Sequence, residues 1–126
     1  KSIVAQIKEV PARSFIGYGC TYKTTKKSKL AVVPIGYYDG YDRQLSNAAH
    51  VLIRGRRAPV RGRVCMNMLM ADVSDIPNVR LEDPVVVLGV QRQEEITVEQ
   101  LAEWAGTINY EIMTRWRETL ERKIVK

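Results

Sequence analysis

The chain has 126 residues, enough for one domain that buries roughly two thirds of the surface its unfolded form exposes. With 45% apolar and 27% charged residues, 8 Gly and 5 Pro, its composition excludes disordered, collagen-like and low-complexity classes. A net charge of +6 admits nucleic acid, an anionic membrane or a phosphate-bearing ligand as a partner and requires none of them.

No apolar run approaches the ~18 residues of a transmembrane helix. The opening Lys1-Ser2-Ile3-Val4-Ala5-Gln6 lacks a signal-peptide core and reads as the middle of a larger polypeptide. Cys20 and Cys65 lie far apart and outside any CxxC pair, so they are expected as free intracellular thiols, with no metal site. His50 is the only histidine, which excludes a His-rich cluster, and no GxSxG elbow accompanies it.

In chain order, Lys1 to Val10 reads as a strand. Ile3, Ala5, Ile7 and Val10 mark its apolar face, and Pro11 ends it. Ser14 to Tyr22 mixes aromatics with Gly17 and Gly19, a strand with a bend or a close backbone approach. Lys23 to Lys29 is a polar turn. Leu30 to Ile35 is an apolar strand, with Pro34 pointing to an edge or bulge position. Gly36 to Tyr41 is a loop carrying an Asp-Gly turn signal. Val51-Leu52-Ile53 and Ala58-Pro59-Val60 flank Arg54-Gly55-Arg56-Arg57 as a hairpin. Arg63 to Val73 reads as one long buried strand, with Val64, Met66, Met68 and Met70 on one face. Pro77-Asn78 turns the chain, and Val85 to Val90 is a further buried-type strand.

Helical signals come late. Thr97-Val98-Glu99-Gln100 is a capping box, Leu101, Trp104 and Ala105 form the apolar stripe, and Gly106 is the stop. Thr107 is placed to cap a second short helix carrying Ile108, Ile112, Met113 and Trp116. Residues 119 to 125 can return as a strand. About seven short strands and two short helices predict a mainly β, barrel-like domain over residues 1–126.

Tyr18 lies between Gly17 and Gly19, whose bare backbones leave a phenol accessible. Tyr37, Tyr38, Tyr41 and Tyr110 could line a polar cleft or form the rim of a barrel. A phenol is a poor base at neutral pH unless a cation lowers its pKa from about 10. Arg54, Arg56, Arg57, Arg61 and Arg63 could track a nucleic-acid backbone or form a solvated hairpin. Met66, Met68 and Met70 read as core filler ahead of a thioether metal site.

Four motifs occur in order: Gly17-Tyr18-Gly19-Cys20-Thr21-Tyr22, Val32 to Tyr41, Gly62-Arg63-Val64-Cys65-Met66-Asn67, and Gly106 to Ile112. Together they resemble the C-terminal domain of bacterial alanine racemases, the fold-type III pyridoxal-phosphate enzymes, over nearly the whole chain. The resemblance implies a TIM barrel ahead of this domain that carries the cofactor lysine and most of the phosphate cup. It implies little pyridoxal-phosphate binding by this domain alone, and no activity in isolation. It also implies a cytoplasmic enzyme that interconverts L- and D-alanine for cell-wall precursor supply. Its head-to-tail homodimer would let each β domain complete the other subunit's site. No nucleic-acid partner and no membrane contact by this domain are expected. Resistance-type relatives carry a membrane module upstream of the barrel.

By the same resemblance, Tyr18 is the acid–base group on the substrate face opposite the barrel lysine, its pKa lowered by a histidine–arginine pair of the barrel. The Met66 backbone N–H receives the substrate carboxylate, Tyr37 lines the mouth of the site, and Tyr110 helps hold the cofactor phosphate. The family usually reads Cys-Met-Asp where this chain has Cys65-Met66-Asn67. An amide donor at Asn67 could widen substrate choice toward serine, as in relatives linked to glycopeptide resistance, or be neutral drift. The tail, Leu120 to Val125, lacks the family's arginine–proline–arginine pattern. The contrasting reading is a basic β-barrel module for nucleic acid, which would release its ligand steeply with rising salt.

Overall fold

The computed structural model describes residues 1–118 and residue 120, with Tyr18 described through its backbone alone. The expected strand over residues 119 to 125 therefore falls almost wholly outside the described residues. The strands, in chain order, are β1 (Ser2–Ile3), β2 (Gln6–Val10), β3 (Phe15–Ile16), β4 (Tyr22–Lys23), β5 (Ser28–Val33), β6 (His50–Ile53), β7 (Arg56–Pro59), β8 (Leu69–Asp72), β9 (Pro84–Val86), β10 (Gly89–Gln91) and β11 (Glu94–Ile96). Two helices follow, α1 (Val98–Ala105) and α2 (Asn109–Thr114).

One antiparallel sheet runs β1-β9-β6-β7 and a second runs β2-β5-β8, with β3-β4 and β10-β11 as separate hairpins. The two main sheets meet at two corners. At one, Val60 bridges to Ala71 and the Arg61 N–H donates to the Met70 carbonyl at 2.9 Å. At the other, the first ten residues leave β9 and join β5. Here the Val4 N–H donates to the Asp83 carbonyl at 2.9 Å and the Ala5 N–H to the Val32 carbonyl at 2.8 Å. The result is a mainly β, barrel-like enclosure made of two sheets joined at corners, without one continuous ladder. Val4, Leu45, Leu52, Leu69, Ile96 and Leu101 are fully buried between them.

The corner at Val4-Ala5 overturns the expected apolar face of the first strand. Val4 is the core residue, whereas Ile3 is exposed. A strand that changes sheets breaks its two-residue alternation, and a one-residue slip exchanges the faces. Pro34 directly follows β5, which is hydrogen-bonded on both sides, so it ends a central strand and does not mark an edge. The long strand expected from Arg63 to Val73 is only β8, with residues 61–68 forming a loop. Met66 and Met68 are exposed there, and neither is core filler. The run from Val85 to Val90 divides into β9 and β10, leaving Val90 exposed.

Local signals held where the chemistry is local. The β6–β7 hairpin closes through Arg54-Gly55, both left-handed with φ of 53° and 73°, the primed geometry that matches strand twist. In α1 the Gln100 N–H donates to Thr97 Oγ1 and the Thr97 N–H to Gln100 Oε1, each at 3.1 Å. Gly106 ends the helix with φ 69°. The second helix is instead preceded by Ile108, while the Thr107 hydroxyl bonds the Glu111 carboxylate one turn on. No helix among the described residues is long and apolar enough to cross a membrane.

His50 packs its ring against Trp104 at 5.5 Å between centroids, and its Nδ1 is buried without a partner among the described residues. Burial, then the nearby Arg57 and Arg61 charges, hold its pKa below the usual histidine value. The unfolded chain therefore binds this proton more readily than the folded one. The stability that neutral His50 confers is complete above about pH 6.5 and is lost as pH falls through its lower folded pKa. His50→Phe keeps a ring on Trp104 and removes the titration. Thermal unfolding between pH 7.5 and 5.5 should show a shallower fall in Tm for the variant than for the wild type.

Candidate active site

Three of the four sequence motifs converge at one side of the molecule, and antiparallel register is the cause. Val33, at the end of β5, pairs with Leu69, at the start of β8. The chain leaving β5 therefore turns beside the chain entering β8. Gly36-Tyr37 thus lies against Cys65-Met66, where the Tyr37 N–H donates to the Cys65 carbonyl and the Tyr38 N–H to the Met66 carbonyl, each at 3.0 Å. Gly36 is required here by proximity, since its φ of −149° suits any residue. A Cβ at this position would collide with the Cys65 carbonyl and come within 2.5 Å of the Met66 oxygen.

The third motif approaches from the other side. Between β3 and β4 the backbone of Tyr18–Cys20 forms a tight 3-10 turn, flanked by Gly17 with φ 77°. A Cβ on Gly17 would lie 2.9 Å from the Arg63 nitrogen and 3.1 Å from the Gly62 Cα. Gly62 reciprocates, with a virtual Cβ 2.6 Å from the Ile16 carbonyl oxygen. The 62–66 loop is thus held between the Tyr18 turn and the Tyr37 turn. Cys65 donates its N–H to the Met68 carbonyl at 2.9 Å, whereas the neighbouring Met66 N–H donates to no acceptor among the described residues. Tyr37, Arg43, Arg63, Val64, Cys65 and Met66 line an open cleft of about 420 Å³ beside it.

Tyr37 and Met66 are thus brought together at the cleft, both about half exposed. The backbone of Tyr18 lies on the next turn, and its side chain is outside what the structure describes. Asn67 is exposed and adjoins Met66, but it is not among the residues lining the cleft. Tyr110 is 76% exposed on α2 and is not brought to the cleft wall. The end of α2 is nonetheless anchored to the loop that carries Tyr37. Gly40, with φ 106°, lets the Arg115 carbonyl and the Trp116 Cα close in. Arg115 pairs with Asp42, and the Arg117 guanidinium sits 3.8 Å above the Tyr38 ring. Tyr41 is fully buried, its hydroxyl has no partner among the described residues, and burial pushes its pKa up. It belongs to the core and not to a polar cleft.

Sequence reasoning missed Arg43 and Ser46. Arg43 lines the cleft beside Arg63, and Ser46 Oγ accepts the Val64 N–H at 2.8 Å. Both come from the polar stretch 42–48, which carries no motif. The arginine stretch weighed for nucleic acid is largely engaged within the fold. Arg57 bonds Glu94 at 3.0 Å, Arg61 lies 4.6 Å above the Tyr22 ring, and Arg54 stands 3.9 Å from Asp83. No group of three or more His, Cys, Asp or Glu among the described residues is placed to hold a metal ion.

Comparison with known proteins accounts for this arrangement. The family model described as "Alanine racemase, C-terminal domain" matches residues 1–124. Alanine racemase from Halothermothrix orenii is 53% identical over 113 residues, 90% of this chain and 30% of that protein. Among solved structures, alanine racemase from Bacillus anthracis with bound L-Ala-P superposes with a TM-score of 0.84 at 40% identity, covering 92% of this chain and 29% of that one. The Bartonella henselae alanine racemase, solved with covalently bound pyridoxal phosphate, gives 0.80 at 30% identity, covering 90% and 31%. The chain belongs to the alanine racemase C-terminal domain family, and it spans about a third of the length of these relatives.

Lys8, Lys23, Lys26, Lys27 and Lys29 are all exposed, and none of them lines the Tyr37–Met66 cleft. The described residues present an open wall, with a backbone donor that has no acceptor among them and two arginines at its edge. The wall depends on the absence of a side chain at Gly36. Gly36→Ala should force the Tyr37 turn away from Cys65-Met66 and cost about 1–3 kcal/mol as overpacking, read from the shift of the denaturant midpoint at unchanged m-value.

Proposed function

We propose that the full-length protein is a pyridoxal-phosphate-dependent alanine racemase and that this chain supplies, to the partner subunit, the wall of the active site bearing Tyr18. The observation that carries the reading is the Met66 N–H, which has no acceptor among the described residues and is set in a cleft edged by Arg43 and Arg63 and flanked by the turn that holds Tyr18. A backbone N–H with no internal acceptor, beside two cations, suits a carboxylate.

Racemisation removes the α proton from one face of Cα and returns a proton to the other, so two acid–base groups must flank that carbon. Pyridoxal phosphate, held mainly by a preceding barrel domain, would supply the electron sink that makes the α proton acidic. Tyr18 would take the proton from the L enantiomer and return it in the opposite sense. Met66 would hold the carboxylate so that Cα faces the phenol, Tyr37 would narrow the mouth in favour of small amino acids, and Tyr110 would reach the cofactor phosphate. A head-to-tail dimer is the assembly in which such a wall completes a neighbour's site. Supply of D-alanine to cell-wall precursors in the cytoplasm is the corresponding role.

In the full-length enzyme, Tyr18→Phe should lower kcat for L-alanine by about 10²- to 10⁴-fold, the usual worth of a positioned acid–base group. Racemisation at the wild-type rate, followed by circular dichroism, would remove Tyr18 from the reaction. The breadth of substrate choice is assigned to Asn67, whose amide can donate to a hydroxyl where a carboxylate can only accept. Asn67→Asp should lower the serine-to-alanine ratio of kcat/KM, and an unchanged ratio would leave Asn67 without a part in specificity.

A further inference from the structure

We infer that Asn47 is a positioning residue that locks the Tyr18 turn and the Met66 loop into a single unit, an inference that rests on the racemase reading above. Its amide lies between the two. Asn47 Oδ1 accepts the Gly62 N–H at 2.6 Å, and Asn47 Nδ2 donates to Thr21 Oγ1 at 3.0 Å. The orientation of the amide is fixed chemically, because a backbone N–H can only donate and so must face the oxygen. Thr21 directly follows the Tyr18–Cys20 turn, and Gly62 opens the loop that ends at Met66.

The backbone of Asn47 is itself specialised. Its φ of 59° is left-handed, a conformation that asparagine tolerates better than most residues with a side chain. Asparagine therefore meets two demands at once, a left-handed turn and a donor–acceptor pair on one planar group. The neighbouring Ser46 hydroxyl accepts the Val64 N–H at 2.8 Å, which holds the same loop two residues further on. Gly17 and Gly62 press backbone on backbone at the same place, leaving no side chain of their own to fix the angle between the two turns. Asn47 supplies that fixing contact.

In the proposed reaction the phenol and the carboxylate-binding N–H must be held at a constant distance, because both act on one small substrate. Loosening the Asn47 clamp should misplace the Tyr18 side of the site and leave the group on the opposite face of Cα untouched. The α proton of L-alanine departs to Tyr18, and that of D-alanine departs to the opposite group. A slower Tyr18 step therefore raises the α-deuterium isotope effect on the L enantiomer and lowers that on the D enantiomer. A general loss of folded enzyme changes neither.

The test uses the full-length enzyme and three substitutions. Asn47→Gly keeps the left-handed backbone and deletes both bonds, Asn47→Asp keeps the acceptor for Gly62 and deletes the donor, and Thr21→Val removes the acceptor on the Tyr18 side only. Asn47→Gly should lower kcat about ten- to a hundredfold, the scale of a small misplacement of a reacting group. Asn47→Asp and Thr21→Val should give smaller losses. All three should raise the isotope effect with α-deuterated L-alanine and lower it with α-deuterated D-alanine. Should Asn47→Gly fail to fold, Asn47→Asp and Thr21→Val decide the matter. Loss of activity with both isotope effects at their wild-type values would overturn the assignment of Asn47, as would kcat within about twofold of wild type in the folded variants. A wild-type enzyme that does not racemise alanine would instead overturn the racemase reading, and the role of Asn47 with it.

Discussion

The site depends on backbone lying directly on backbone. Gly17 rests on Gly62-Arg63, and Gly36 rests on the carbonyls of Cys65 and Met66. At each contact a single methyl group would force the segments apart, because the nearest atoms are backbone and cannot swing away. The 62–66 loop is therefore clamped from both sides with no intervening side-chain layer. A loop held that way can keep the Met66 N–H, which like that of Arg63 has no acceptor among the described residues, in a fixed place, which a mobile loop cannot do. The same N–H left unpaired inside the core would cost stability. At the edge of an open cleft, water or a ligand can satisfy it.

Beneath the loops, rigidity comes from the two sheets. β5 is bonded along both edges, to β2 and β8, and its buried face joins the core shared with β6 and β9. The Val33–Leu69 pairing fixes where the Tyr37 turn meets the Met66 loop. The Val60–Ala71 bridge fixes where that loop begins. Precision at the cleft is thus inherited from strand register, and in a half-buried strand a slip of one residue is strongly opposed because it would expose the core face.

Features written in a few adjacent residues were legible in the sequence. The β6–β7 hairpin, the Thr97–Gln100 capping box and the Gly106 stop each need only local geometry and each formed, although the hairpin turn is Arg54-Gly55 alone and Arg56-Arg57, expected between the strands, belong to β7. Features that depend on distant partners were not. The alternation from Val64 to Met70 looked like a strand, yet residues 61–68 are held as a loop by Ser46, Tyr37 and Tyr38, far away in sequence. Val4 and Ile3 exchanged faces because the chain changes sheets at a corner that no periodicity announces. Tyr41 looked like its neighbours Tyr37 and Tyr38, and only the packing around it shows that it is core. The motifs with their glycines were legible, but not the reason for each glycine. Gly17 combines a left-handed φ with a close contact, whereas Gly36 needs the contact alone.

Charge placement explains how a domain of net charge +6 comes to present a site of this kind. Among the described residues, several cations are committed elsewhere. Arg57 is bonded to Glu94, and Arg115 to Asp42 and Glu111. Asp42, the carboxylate nearest in sequence to Arg43, pairs with Arg115 and also borders, with Arg43 and Arg63, the adjoining open cavity. Arg43 and Arg63 face the cleft with no carboxylate partner among the described residues. Two guanidinium groups with no ion pair among the described residues, beside the Met66 N–H, favour a small anion at this edge, with Asp42 opposing part of that field. An extended polyanion would need a continuous cationic track. Among the described residues, the basic character of the sequence thus reaches the cleft through Arg43 and Arg63.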